Sequence, residues 1–159
     1  MKYRILNHEE LSFFEEELKA FLIINGVDGD TWKKINENQP DKAIELVELF
    51  SDTVLEKIYS NIHYLEFRSK DSCIVFHVGE QESKLISIQT SSNENIDLST
   101  PETIHEALQN KESKLNFFKQ TKKHQKTREM EVHTLLESGC VPSAQAFWDA
   151  LNLVTSNNE

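Results

Sequence analysis

The sequence predicts an α+β fold, and three observations predict it. Apolar residues recur at helical spacing over residues 8–61. The period then changes to two, with short polar turns between alternating runs. Helix start signals return in the last third, at Thr100-Pro101 and again after Pro142. The expected architecture is N-terminal helices packed on a three- or four-stranded antiparallel sheet, closed by a C-terminal helical hairpin.

The first helix is expected from about His8 to Asn25. Leu11, Phe14, Leu18, Phe21 and Leu22 make one apolar stripe, and Gly26 offers a left-handed cap. Asp30 is the expected N-cap of a short helix carrying Trp32 and Ile35, which Asn38-Gln39-Pro40 ends. A third helix is expected over Asp41 to Asn61. It holds Ile44, Val47, Leu49, Phe50, Leu55 and Ile58, more than one stripe, so it is expected to lie centrally.

His63 to Ser69 alternates and predicts a strand, with Leu65 and Phe67 on one face and Tyr64, Glu66 and Arg68 on the other. Cys73 to Val78 is nearly unbroken in apolar character, as in a central strand covered on both faces. Lys84 to Thr90 is the third strand. Short turns at Asp71-Ser72 and at Gly79 to Glu82 make these strands an antiparallel meander.

Residues 91–99 are polar and predict a loop. Thr100 caps a short helix ending near Gln109. Lys114 to Lys119 is a candidate fourth strand. A helix over Thr127 to Ser138 ends at Gly139. The last helix carries Ala146, Phe147, Trp148 and Leu151, and a frayed tail is expected over 156–159. The length of 159 residues suits one domain, here 1–155.

Composition narrows the function classes. The net charge of −10 disfavours wholesale binding to nucleic acid or an anionic membrane, because the mean field repels both. The start, Met1-Lys2-Tyr3-Arg4, turns polar too soon for a signal peptide, and no apolar run approaches a membrane span. A cytoplasmic protein with no membrane partner is therefore expected. Cys73 and Cys140 lack any CxxC or Cys/His ligand spacing and are expected to be reduced. His63, His77 and His105 show no metal-ligand pattern. Cys73 and His77 share a strand face but lie roughly 13 Å apart, too far for a nucleophile and its base. Glycine-rich phosphate loops and nucleophile elbows are absent from the sequence. No catalytic residue, cofactor or metal is expected, and the reading leans away from an enzyme.

One charge anomaly stands out. Lys119, Lys122, Lys123, Lys126 and Arg128, with His124 among them, form a run without an acid. The remaining residues carry 12 basic and 27 acidic groups, a balance of −15. As a loop, residues 119–128 form a candidate anion site; as a solvated connection they are only balanced by acidic helix faces.

The chain resembles an uncharacterised family of small acidic bacterial proteins carrying a domain of unknown function. The resemblance rests on Met1-Lys2-Tyr3-Arg4 with Leu6, on Phe50-Ser51-Asp52, and on Tyr64-Leu65-Glu66. It continues through Val75-Phe76-His77, Ile96-Asp97-Leu98, Arg128 with Glu131, and Leu135-Leu136 before Gly139. The family favours Gly-Ser-Lys-x-Tyr where this chain has Gln120-Thr121-Lys122-Lys123-His124. The resemblance implies a one-domain bacterial context and no activity.

The expected function is a non-enzymatic module that binds another protein, with Phe147 and Trp148 as exposed partner-binding residues. The alternatives are an anion- or nucleic-acid-associated protein using the basic loop, and an enzyme of an unrecognised class.

Overall fold

A computed structural model of the chain describes residues 1–90, 96–109 and 115–156. The expected loop over 91–99, the start of the fourth strand at Lys114 and the tail over 156–159 lie partly outside the described residues. The fold is α+β. The chain divides into two compact units, Met1–Ile58 and Tyr59–Glu159.

In the first unit, α1 (His8–Phe13) starts at a capping box. Glu10 N–H donates to Asn7 Oδ1 at 2.9 Å, and Asn7 N–H donates to Glu10 Oε2 at 2.9 Å. Arg4 grips the same carboxylate with two bonds of 2.8 Å, which holds Glu10 down at about 2. The single expected helix breaks at Phe14, and α2 (Glu15–Ile24) follows. Leu18 N–H still donates to Phe14 O at 2.9 Å across the break. The apolar stripe therefore runs on uninterrupted, which is why periodicity does not reveal the break.

Gly26 ends α2 with φ +78, as its position predicts. The cap of α3 (Gly29–Asn38) is Asp28 rather than Asp30, through a 2.7 Å bond from Thr31 N–H. Pro40 opens α4 (Pro40–Ser60). Leu22, Val27, Ile35 and Ala43 form the core of this unit, with Phe21 and Trp32 against it. Phe50 is 2% exposed and packs on Phe21 with the rings tilted and their centres 5.4 Å apart. Ile44 and Leu49 are about half exposed, at 50% and 53%, so the second apolar stripe of α4 is not buried as expected.

The N-terminal motif is a clamp. Asp52 accepts from the backbone N–H groups of Lys2 (2.6 Å) and Tyr3 (2.9 Å). The fully buried Ser51 hydroxyl accepts from Leu6 N–H at 3.0 Å. Met1-Lys2-Tyr3-Arg4 with Leu6 and Phe50-Ser51-Asp52 are thus two halves of one structural contact.

The second unit is built on a sheet of order β4-β3-β2-β1-β5, antiparallel throughout. Its strands are β1 (Tyr64–Arg68), β2 (Ser72–Val78), β3 (Glu82–Thr90), β4 (Leu115–Lys123) and β5 (Val141–Pro142). The β2 strand lies between β1 and β3, as its apolar run predicts. Cys73, Val75, Ile86 and Ile88 pack on one sheet face with Ile104 and Ala107 of α5 (Pro101–Gln109) and Trp148 and Leu151 of α7 (Gln145–Ser156). Leu98 completes that core.

On the other face, α6 (Arg128–Glu137) lies close to β2. It is capped by Thr127 and ended by Gly139 at φ +102. A side chain at Gly139 would meet the Phe67 ring at 3.4 Å. Helices α6 and α7 are not the expected hairpin, because β5 intervenes and pairs with Leu65 and Glu66. Two residues are too few to leave a periodic signal.

Candidate binding edge of the sheet

Only residues 124–127 of the basic run form a loop. Lys119, Lys122 and Lys123 belong to β4, which extends four residues past its expected end at Lys119. Hydrophobic alternation is missing from Lys119-Gln120-Thr121-Lys122-Lys123, so the pattern does not reveal a strand. Pairing supplies what the pattern lacks: Ser83 stands opposite Lys122, and Glu82 opposite Lys123. Oppositely charged residues across a ladder attract, and strand preference follows such neighbours more than intrinsic propensity.

The rest of the run separates. His124 is half-buried, and its Nε2 shares a 2.8 Å hydrogen bond with Ser83 Oγ. Lys126 is exposed. Arg128 is only 5% exposed, which removes it from any surface patch. Its guanidinium donates to the carbonyls of Tyr59 (3.0 Å), Ser60 (3.4 Å), Ile62 and Val78 (3.2 Å). Proximity in sequence to four lysines hides this, because burial depends on the carbonyls that the fold aims at the side chain.

Trp148 is likewise buried, at 8% exposure, as part of the core. Phe147 is half-buried beneath the Arg68 guanidinium, 4.8 Å from the ring centre. Neither is an exposed docking side chain. Their helical spacing belongs to the stripe that α7 turns inward.

The β4 strand forms one edge of the sheet, and among the described residues no strand pairs with its outer side. His124 N–H donates to Gln81 O at 2.9 Å, which fixes the phase of the β3–β4 ladder. In an antiparallel pair, hydrogen-bonded and non-hydrogen-bonded residues alternate. Residues 116, 118, 120 and 122 therefore bond to β3. Phe117, Lys119, Thr121 and Lys123 turn their backbone N–H and C=O groups to the outer edge.

A cleft of about 300 Å3 adjoins this edge. Phe76, Leu85 and Leu135 give it an apolar lining, with Gln120, Lys122 and Glu131 among its polar groups. Phe118 of β4 is 58% exposed. Ser83 and His124 form a hydroxyl–imidazole pair beside the cleft, but His124 Nδ1 is buried without a hydrogen-bond partner. Nucleophilic catalysis needs a group there to orient the ring.

Other concave features are simpler. A cleft of about 490 Å3 is lined by Glu66, Arg68 and Pro101, and its carboxylate and guanidinium neutralise each other. In the first unit, Leu22, Val27 and Trp32 line an apolar cleft of about 240 Å3. His77 stacks on Tyr64 at 4.7 Å, and burial lowers its pKa. Both cysteines are free and buried. Among the described residues, no group of three or more His, Cys, Asp or Glu side chains could hold a metal ion. No helix among them is long and apolar enough to cross a membrane.

The cleft lining from Phe76, Leu85 and Leu135 is not nominated by sequence, since each residue reads as ordinary strand or helix core. The outward backbone groups of β4 leave no side-chain signal at all. The family model described as a family of unknown function (DUF6495) matches residues 1–156, and the chain belongs to that family. No curated protein and no solved structure matches the chain.

Proposed function

We propose that this member of a family of unknown function is a non-enzymatic cytoplasmic module that binds another protein, and that it does so through the outer edge of its sheet. The observation that carries this reading is β4. It is nine residues long, against a usual strand of about five or six, and its outer side is unpaired among the described residues. An edge of that kind offers a row of backbone donors and acceptors to a second chain. The exposed Phe118 and the adjoining apolar cleft add contact surface.

The test is a pull-down from native lysate with the parent chain and with Phe118→Asp, both checked for fold by circular dichroism. A protein retained by the parent and released by the variant is the expected result. Equal retention by both moves the interface away from β4. Retention of nothing by either removes the reading.

A second reading draws on the exposed Lys122, Lys123 and Lys126, which support association with an anion or a nucleic acid. Its mark is binding that falls steeply with salt.

A further inference from the structure

We infer that the partner of β4 is an extended acidic segment that adds to the sheet as a further strand. This rests on the protein-binding reading above and names the chemistry of its partner. Three features of the edge converge on it.

The first is the backbone. Phe117, Thr121 and Lys123 present outward N–H and C=O groups, by the phase that the His124–Gln81 bond sets. Strand addition satisfies such groups without asking for a particular sequence.

The second is charge. The β4 strand carries Lys119, Lys122 and Lys123 and no acid, within a chain of net charge −10. Lysine on an edge is a device against pairing with a like edge. Two copies joined through β4 would bring their lysines together, so a second copy of this chain is disfavoured. The same lysines attract a strand carrying carboxylates at alternate positions. Those carboxylates share one face of the added strand and meet Lys123, while Lys122 stands on the other face beside the cleft.

The third is the cleft of about 300 Å3, whose apolar lining includes Phe76, Leu85 and Leu135. It adjoins the sheet face that carries Gln120 and Lys122. An added strand turns every second side chain toward that face, so apolar residues alternating with the acids match it.

The experiment uses the full chain and a defined probe. The probe is a capped nine-residue peptide of alternating Glu and Val, matched to the length of β4. Its binding is read by fluorescence anisotropy at low salt. Hydrogen exchange then reports on the backbone amides of the protein. Binding with added protection at Phe117, Thr121 and Lys123 is expected.

Two controls separate strand pairing from simple charge attraction. A probe N-methylated at alternate positions keeps its charge but loses its donors, and is expected to bind at least about tenfold more weakly. Thr121→Pro removes one outward N–H while leaving the bonds to β3, as proline is tolerated at such edge positions. It is expected to lose about tenfold in affinity, with Thr121→Val unchanged. Lys122→Glu with Lys123→Glu is expected to reject this probe and accept one of alternating Lys and Val.

Equal binding of the N-methylated probe overturns strand addition. So does binding that leaves the outward amides of Phe117, Thr121 and Lys123 unprotected. A parent that ignores the acidic probe yet captures a protein in the pull-down overturns this inference and leaves the protein-binding reading standing. A parent that sediments as a dimer, with β4 protected in the absence of probe, makes the second copy the occupant and overturns it as well.

Discussion

Phe50 and Cys73 show how burial sets what a residue does. Phe50 is 2% exposed and sits 5.4 Å from the Phe21 ring, so truncation leaves a cavity rather than a solvent gap. Phe50→Ala is expected to cost about 3–5 kcal/mol, measured as a shifted urea midpoint at unchanged slope. A loss below about 1 kcal/mol would show that the site collapses around the missing ring. Cys73 has no exposure, and burial pushes its thiol from 9.0 up to about 11. The folded state thus favours the neutral thiol more than the unfolded state does. That contribution to stability is complete below about pH 9 and is lost as pH rises through about 11. Unfolding free energy of the parent minus that of Cys73→Ala should therefore fall across this window. A flat difference would place the thiol in contact with water.

The elements differ in how well a pattern announces them. The β2 strand is legible because Cys73, Val75 and Val78 are buried and Ile74, Phe76 and His77 half-buried, so the run is covered on both faces and apolar side chains are the cheapest solution. Gly26 and Gly139 are legible because a positive φ leaves few alternatives. The outer half of β4 is not legible, since an edge strand with polar side chains is defined by its partner's backbone. The two-residue β5 and the break at Phe14 leave the periodicity intact. Arg128 is the sharpest case. Its charge places it with the lysines before it, but its guanidinium is spent on carbonyls at the end of α4, before β1 and at the end of β2. A cation there also suits the negative end of α4. Within the second unit it ties the segment 59–62 to the end of β2 at one point. Arg128→Ala strands several buried carbonyls and is expected to cost at least about 3 kcal/mol. Arg128→Lys, with three donors instead of five, should recover part of this. An Arg128→Ala chain as stable as the parent would mean that water reaches those carbonyls.

At the scale of the whole molecule, charge decides which surface reading holds. The chain is −10 overall, and the five basic residues of 119–128 stand against a remainder of −15. The fold then reduces the number available to a ligand. Arg128 is buried among carbonyls, and Lys119 Nζ donates to Asn152 Oδ1 at 3.3 Å. Lys119 is exposed but bonded, which leaves Lys122, Lys123 and Lys126 as the cations offered to a ligand, with Glu82 across the ladder from Lys123. Three cations on an acidic body make a weak polyanion site. If they act together, the logarithm of heparin affinity should fall with the logarithm of salt at a slope of about −2, the release expected for three contacts on a single strand. Lys122→Glu with Lys123→Glu should abolish the binding, because one cation would then face two added acids within the same mean field. Equal heparin or RNA binding by this variant and the parent at low salt would end the anion-association reading. It would leave strand addition to be judged by the outward amides of β4, whose pairing depends on geometry that salt does not screen.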